Sequence, residues 1–298
     1  MRGFGRPVAL IAAAAAMTAP AHAGATVTIG SDLGRTPNQT FVCGAVGALG
    51  CTAVQSALNG DVQAPNGLYS PVNGVVTQWR IHAGASNTTP VRLRVVKPLG
   101  GSLYTGAGTS DVFDPPAGAI TTFRVQLPIA MGDQIGLDFQ SGANFFVNSP
   151  GIGTRLGFQP PLADGAAGRF ADDVRNDREV PINADIEPTS IFALGEVDRR
   201  KRGRLLVTPT LPNPGTLTAG DGRDAFAASS GAKKGFRMLT ASSVRVAAPG
   251  STELTVLPTK AARAALARRL KLKATLKVTF TPFGGSPSSR IVQVKLKR

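Results

Sequence analysis

The sequence Gly74-Val-Val-Thr-Gln-Trp-Arg-Ile-His-Ala83 contains two alternating sets of side chains, and this alternation decides the fold. A period of two is typical of a β-strand that has one face in a core and the other in water. The phase of the stretch directs Trp79 to the core together with Val75, Thr77 and Ile81. The residues between them are predicted to face the other way: Val76, Gln78, Arg80 and His82.

Residues 24–195 contain more stretches of this kind, separated by Gly, Pro, Asn and Asp. The clearest are residues 91–95, 122–127 and 135–139, and the segment shows no convincing helical spacing. Many short strands at regular intervals are typical of an antiparallel sandwich. The sequence therefore predicts an all-β protein in which residues 24–195 form a jelly-roll-like sandwich.

Charge is divided unequally along the chain. Residues 24–197 contain 10 Lys and Arg against 14 Asp and Glu, whereas residues 198–298 contain 21 against 4. The division falls at Arg199-Arg-Lys-Arg-Gly-Arg204, a run of basic residues that repel one another and stay in solvent. We therefore predict a basic, protease-sensitive linker over residues 196–204 and a separate basic domain over residues 205–298.

Residues 205–298 predict an immunoglobulin-like sandwich that carries one short helix. Strands are expected at 242–247 and 253–257, and Thr259 is a suitable N-cap for a helix that runs to Leu270. Two further alternating strands flank the loop 282–287. If these strands pair, their lysines share one solvent face: Lys271, Lys273, Lys277, Lys295 and Lys297.

Three interpretations of this basic domain stay open. It binds anionic polymers of the cell envelope, it binds nucleic acid, or its surface is only solvated. Nucleic acid is disfavoured because base stacking needs aromatic rings beside the charges, and only Phe280 and Phe283 are nearby in sequence. Three arginines of the predicted helix would enlarge the positive surface: Arg263, Arg268 and Arg269.

The N-terminus has the pattern of a signal peptide over residues 1–23. Arg2 and Arg6 precede an apolar run, and Ala21-His-Ala23 supplies a cleavage site. We expect a secreted or cell-surface protein with no transmembrane segment after the signal is removed. Because exported proteins meet an oxidising environment, the two cysteines, Cys43 and Cys51, are predicted to form a disulfide.

Residues for catalysis or metal binding are few. After signal removal His82 is the only histidine, and no Gly-x-Ser-x-Gly motif accompanies it. Seven carboxylates within residues 164–187 lack the spacing of a calcium loop, and arginines lie between them. A glycoside hydrolase that uses two of these carboxylates is the alternative function. The seven are Asp164, Asp172, Asp173, Asp177, Glu179, Asp185 and Glu187.

We expect an exported, non-catalytic binding or structural protein whose partner is a polysaccharide or an anionic envelope polymer. This expectation rests on the analogy with other sandwiches and on the absence of an assembled catalytic motif. Sugar-binding sandwiches present aromatic rings to the sugar, and Tyr69 and Tyr104, in or near turns, are the candidate platforms. No cofactor, metal or catalytic residue is predicted, and the oligomeric state is left open.

Three segments of the first sandwich carry a resemblance: Gly74–Ile81, Leu127-Pro-Ile-Ala-Met-Gly-Asp-Gln-Ile-Gly-Leu137 and Asn183-Ala-Asp-Ile-Glu-Pro188. Together with the tail from Leu257 to Arg298, they resemble uncharacterised exported two-domain β-sandwich proteins of soil actinobacteria. The resemblance implies a fold and no activity. Some members continue after the Glu-Pro with Asp-rich calcium repeats. This chain continues differently, so calcium binding is not carried over.

Overall fold

The computed structural model describes residues 26–41, 50–86, 89–223, 237–269 and 271–297. Within these ranges the chain forms 22 strands, one α-helix and two single turns of 3-10 helix, so the predicted all-β sandwich fold is confirmed. The predicted signal peptide, Cys43 and Leu270 lie outside the described residues.

Fourteen strands build the first half of the described chain, and the pairs between them are antiparallel. Their bounds are β1 Val27–Gly30, β2 Gln39–Phe41, β3 Cys51–Leu58, β4 Gly74–His82, β5 Val91–Gly100, β6 Leu103–Thr109, β7 Ile120–Ile129, β8 Gln134–Phe139, β9 Ala143–Asn148, β10 Gly153–Phe158, β11 Arg169–Phe170, β12 Asp173–Asn176, β13 Arg178–Glu179 and β14 Ile182–Pro188.

Two sheets enclose the main core of this half. One sheet has the order β1-β14-β4-β7, the other has the order β11-β6-β5-β8-β3-β10-β12, and a short third sheet has the order β13-β9-β2. Trp79 of β4 is fully buried in the core, where its ring contacts Phe113 and Phe123. Leu93 of β5 and Leu137 of β8 belong to the same hydrophobic cluster from the second sheet. Both sheets therefore pack their apolar faces against one core, as a sandwich requires.

The strand β4 departs from strict alternation at one point. Its register with β14 shifts between Val76 and Gln78, where β4 has one residue more than β14, and this is a β-bulge; the register with β7 shifts at the same place. An extra residue on one strand reverses the alternation, so Val76 is in the core at 0 % exposure while Val75 is half-buried. The predicted core positions of Trp79 and Ile81 are confirmed. The predicted orientations of Val75 and Val76 are wrong because the bulge lies between them and Trp79.

Eight strands and the helix build the second half of the described chain. Their bounds are β15 Ala193–Arg199, β16 Leu205–Leu211, β17 Gly215–Asp221, β18 Ser242–Val246, β19 Gly250–Ser251, β20 Leu254–Val256, α1 Lys260–Arg268, β21 Lys271–Pro282 and β22 Ser288–Lys297.

Two four-stranded sheets of this half share a second hydrophobic core. One has the order β15-β16-β19, with β20 also paired to β16, and the other has the order β18-β17-β21-β22. Phe280 of β21 is fully buried in this core, as its strand phase predicts. The helix α1 begins as predicted, with the Thr259 hydroxyl accepting a hydrogen bond from the Ala262 amide (3.1 Å). Leu266 of α1 packs into the same core.

The segment predicted as a linker, residues 196–204, is instead the end of a β-hairpin. β15 pairs with β16 through Val197 opposite Val207 and Arg199 opposite Leu205. Val197 packs against the second core, so the strand has an apolar side that the run of charges conceals in the sequence. The charges occupy the turn over residues 200–204, where they stay in solvent as predicted.

Hydrogen bonds join the two halves near the segment where the chain passes from β14 to β15. Asn213 is fully buried, and its amide group forms a reciprocal pair with the backbone of Asn73 (2.6 and 2.8 Å). The Asn213 side chain also donates to the carbonyl of Thr189 (2.8 Å). Farther along, the Ser288 hydroxyl donates to the carbonyl of Ser190. Each half thus has its own core, and polar contacts connect them.

Candidate functional site

The predicted pairing of the last two strands brings the five lysines onto one face. β21 and β22 are antiparallel, and their register places Lys271 opposite Lys297 and Lys273 opposite Lys295. Lys277 lies four positions beyond Lys273 on β21, and side chains an even number of residues apart project to the same side of a strand. Four of these lysines are exposed and Lys277 is half-buried. We call this group, with its strand neighbours on the same side, the lysine face.

The register of the lysine face is held from the opposite side of the sheet. Leu272, Leu276 and Phe280 of β21 all lie in the second core. A shift by one residue would move these apolar side chains into water and turn the lysines inward, so the core fixes the pairing. The loop 282–287 connects the two strands, with Phe283 donating its amide to the carbonyl of Pro214 (2.9 Å).

The two lysine pairs are electrostatically unfavourable in the free protein. Like charges directly opposite each other on neighbouring strands destabilise a sheet. Among the ion pairs of the described residues, none involves any of the five lysines. The fold therefore keeps two pairs of positive charges in solvent, and no carboxylate of the described residues is bound to them.

A row of hydroxyl groups lies on the same face, which also carries Ile291 opposite Lys277. Thr218 of β17 lies between Ser243 of β18 and Thr279 of β21, and Thr279 lies opposite Ser289 of β22. The hydroxyls of Thr279 and Ser289 are hydrogen-bonded (2.8 Å). The three registers thus align one row of hydroxyls across the four strands, beside the lysines.

The four strands β18, β17, β21 and β22 contain one carboxylate, Asp221. Its side chain is 3 % exposed and accepts hydrogen bonds from the amides of Met238 and Arg223. Burial raises the pKa of Asp221, but these hydrogen bonds and the Arg223 guanidinium outweigh it and hold the pKa below the ordinary value. Asp221 is therefore an internal anion that is already satisfied, and the charges that these four strands expose are positive.

The arginines of α1 add positive charge near the hairpin turn rather than among the five lysines. Arg263, Arg268 and Arg269 are exposed, as predicted. Arg263 lines a shallow cavity of about 230 Å³ together with Arg202 of the hairpin turn and Leu266 of the helix. The helix thus adds charge beside the basic turn at residues 200–204.

Of the two tyrosines proposed as sugar platforms, only Tyr69 is accessible. Tyr69 is 47 % exposed, whereas Tyr104 is 1 % exposed and donates its hydroxyl to Gln134 (2.9 Å). Burial raises the pKa of Tyr104 to about 12. Tyr104 packs against Phe158 and Leu162, because the chain after β10 folds back over the outer side of the seven-stranded sheet. The prediction that Tyr104 forms a surface platform is wrong for this reason.

The acidic segment does not assemble into a carboxylate pair with a common partner. Six of its seven members have separate contacts in the described residues. Asp164 binds Arg94, Asp172 binds Arg169, Asp173 binds Arg155 and Arg175, Asp177 accepts from the Gly151 amide, Glu179 accepts from Ser31, and Asp185 binds Arg80. These partners lie on different strands and loops, so the segment is distributed over the surface and edges of the sandwich.

Glu179 is the most buried of these carboxylates. Its side chain has 0 % exposure, the Ser31 hydroxyl donates to one oxygen, and Arg35 lies 3.9 Å from the other. Burial raises the pKa of Glu179 above the ordinary value, against the opposing effect of the Ser31 hydrogen bond. A buried carboxylate of this kind cannot contact a sugar from the surface.

An internal ion pair was not predicted from the sequence. Arg94 is buried, and its guanidinium binds both oxygens of Asp138 (2.5–2.9 Å) and one of Asp164 (2.7 Å). Thr52 donates to the same Asp138 (2.5 Å), and burial is the main cause that raises the pKa of Asp138. Arg94 and Asp138 occupy the polar phase of neighbouring strands, which was the available signal. A cavity of about 310 Å³ lies beside them, with Arg92 at its wall.

In the described residues, His82 is not part of a catalytic arrangement, and no metal-binding set of side chains is present. The Nδ1 atom of His82 lies 3.1 Å from the carbonyl oxygen of Leu33. Within residues 26–41, 50–86, 89–223, 237–269 and 271–297, no three His, Cys, Asp or Glu side chains come together as a metal-ligand set. In the same ranges, no helix has both the length and the apolar character to cross a bilayer.

Comparison of the chain with protein-family models and with curated protein sequences finds no match. Conclusions about function therefore come from the geometry described above.

Proposed function

We propose that the protein is an exported, non-catalytic binding protein whose lysine face binds a phosphate-bearing anionic polymer of the cell envelope. The observation that supports this proposal is the register of β21 and β22, with Lys271 opposite Lys297 and Lys273 opposite Lys295. The pairs lie on consecutive positions of one strand face, about 7 Å apart along the strand. They present regularly spaced charge to an extended chain of anions.

The free energy of such binding has a clear electrostatic origin. Each lysine pair is repulsive in the free protein, and an anion between the two ammonium groups removes that repulsion. A neutral polysaccharide brings no charge that would remove the repulsion between the lysines, and Tyr69 is the one accessible tyrosine for stacking. An anionic polymer therefore fits the lysine face better than a neutral glycan does.

Export is part of the same proposal and rests on residues 1–23. A charged start, an apolar run and a small-residue cleavage site together form the pattern of a secretory signal. Sequencing the N-terminus of protein recovered from the culture medium tests this part. We expect the mature chain to begin at Gly24, and recovery of the whole chain from the cells only would contradict export.

Retention on immobilised poly(glycerol phosphate) tests the binding proposal with the full chain. The first variant replaces the five lysines of the lysine face by glutamine. The matched control replaces five basic residues of the hairpin turn by glutamine, so that both variants lose the same charge: Arg199, Arg200, Lys201, Arg202 and Arg204.

We expect the wild type and the turn variant to be retained in about 0.1 M salt and released in about 1 M salt, where the Debye length falls from about 10 Å to about 3 Å. The lysine variant should lose most of its retention already in about 0.1 M salt. Equal losses in the two variants would mean that total charge alone acts, and would contradict the proposal. Vesicles with anionic headgroups form a parallel arm, and retention on vesicles but not on the polymer would assign the face to a membrane instead.

A further inference from the structure

A cavity of about 260 Å³ opens on the lysine face next to Lys277. Its wall contains the ammonium-bearing side chain of Lys277 and the hydroxyl-bearing side chains of Thr218 and Thr279. Arg237 lies at the same cavity. Lys277 differs from the other four lysines because it is half-buried rather than exposed. The face is therefore flat along Lys271 and Lys273 and concave at Lys277.

Gly220 is one of the residues that line this cavity. It lies directly opposite Lys277 in the pairing of β17 with β21, on the solvent side of the sheet. A Cβ atom built on Gly220 would lie 3.4 Å from the Cα of Ala241, which is a tolerated contact. Because Gly220 lines the cavity, a side chain at this position would project on the side of the sheet where the cavity opens. Such a side chain would close the cavity from the side of β17.

The groups around the cavity are suited to one tetrahedral oxyanion. An ammonium supplies charge and up to three donors, and a hydroxyl supplies one donor that rotates about its C–O bond. The Thr218 hydroxyl donates to the Thr279 carbonyl at a long distance (3.4 Å), and the Thr279 hydroxyl shares a hydrogen bond with Ser289 (2.8 Å), so binding an anion turns the first hydroxyl away from the carbonyl and leaves Ser289 as the donor to the second. Asp221, the one carboxylate at the cavity, is occupied by hydrogen bonds from the amides of Met238, Leu239 and Arg223. It is not directed at Lys277. Hydrogen bonds in which one partner is charged are shorter and stronger than neutral ones, so this arrangement favours a group with several anionic oxygens.

We propose that this cavity, built by Lys277, Thr218 and Thr279, binds a single phosphate group of the polymer and makes the lysine face prefer phosphate over carboxylate polymers. The inference rests on the proposed function and specifies it. The flat lysine pairs attract any polyanion, whereas the cavity recognises the tetrahedral group. From Lys277 to Lys271 the strand extends about 20 Å, so a polymer anchored in the cavity can continue along both lysine pairs.

The test compares dissociation constants of the full chain for poly(glycerol phosphate) and for polygalacturonate at equal concentration of charge. We examine Lys277→Gln, Thr218→Val and Gly220→Val, with Lys271→Gln as the control for loss of one charge from the flat part of the face. Thr218→Val keeps a β-branched side chain at an exposed strand position, so it preserves the fold if Gly220→Val does not.

We expect the wild type to bind the phosphate polymer about tenfold more tightly than the carboxylate polymer. Lys277→Gln and Gly220→Val should remove this preference and Thr218→Val should reduce it about threefold, while Lys271→Gln weakens both polymers equally. Equal binding of both polymers by the wild type, unchanged by Thr218→Val, would contradict phosphate recognition in the cavity. It would not contradict polymer binding at the lysine face. Absence of binding to either polymer would overturn the proposed function itself.

Discussion

The side chain of Asn213 forms two hydrogen bonds with the backbone of Asn73, one to its amide and one to its carbonyl. Its Oδ1 accepts from the Asn73 amide (2.6 Å), and its Nδ2 donates to the Asn73 carbonyl (2.8 Å). The Asn73 side chain in turn donates to the carbonyl of Pro212 (2.7 Å). These bonds cross from the first half of the chain to the second, so they hold the two sandwiches together near the crossing.

Asn213→Ala should therefore destabilise the protein by about 1–3 kcal/mol, because it leaves the part-buried Asn73 amide and Thr189 carbonyl without their side-chain partner. Urea unfolding followed by the fluorescence of Trp79 and by far-UV circular dichroism measures the loss. The control Asn176→Ala, at an exposed position of β12, should change the free energy of unfolding by less than about 0.5 kcal/mol. Equal effects of the two substitutions would contradict the role of the pair.

Limited trypsin digestion should cut in the exposed turn between Arg199 and Arg204 without separating the products. The two fragments end on β15 and begin on β16, and these strands stay paired from Val197 opposite Val207. We expect two bands on a denaturing gel and one species of unchanged size by gel filtration. Separation of the fragments without denaturant would mean that residues 196–204 link independent units rather than close a hairpin.

The predicted disulfide is testable on the cysteines themselves. Cys51 is buried at the start of β3, and Cys43 lies outside the described residues, so the pairing stays a prediction. A quantitative thiol assay on denatured, unreduced protein should detect no free thiol and should detect two after reduction. A closed loop of this size contributes roughly 2–3 kcal/mol to stability, so the double change to serine should lower the urea midpoint. Two free thiols before reduction would contradict the prediction.

Glu179 should make the stability of the protein depend on pH. Because burial raises its pKa in the folded state, its contribution is fully present below the ordinary glutamate pKa and is lost as the pH rises through the raised folded pKa. The charged groups around it are Asp32, which raises this pKa further, and Arg35 and His82, which oppose the rise.

Glu179→Gln removes the titration. The stability of this variant relative to the wild type should therefore increase as the pH is raised from about 4. Urea unfolding at a series of pH values measures the difference. Glu196→Gln, on exposed β15, is the control and should show a constant difference. A constant difference for Glu179→Gln as well would show that burial does not perturb this group.

The sequence predicted correctly the strands in which buried and exposed side chains alternate without interruption. The alternation in β21 and β22 predicted both the burial of Phe280 and the shared side of the lysines, because a regular strand fixes the direction of every residue. The same rule failed at Val75 and Val76, where a bulge reverses the phase. A bulge depends on the partner strand and leaves no mark in the period of its own strand.

Residues whose surroundings come from distant parts of the chain were not predictable. Tyr104 has the local sequence of a turn, but Phe158 at the end of β10 and Leu162 from the following loop cover it. The hairpin at residues 196–204 was not predicted, because a run of basic residues indicates a solvated linker. Val197, which packs against the second core, was the one apolar residue that indicated a strand. The cavity beside Lys277 required the register of β17 with β21, since Gly220 is nearly sixty residues away in sequence.

The salt dependence of polymer binding tests the central claim most directly. The dissociation constant of the full chain for poly(glycerol phosphate) is measured over a range of salt concentrations for the wild type, the five-lysine variant and the five-residue turn variant. Each lysine that contacts a phosphate contributes about one unit to the slope of log affinity against log salt. We predict a slope about four to five units shallower for the lysine variant and an unchanged slope for the turn variant. The same slope for all three proteins, or an equal decrease in both variants, would contradict binding at the lysine face.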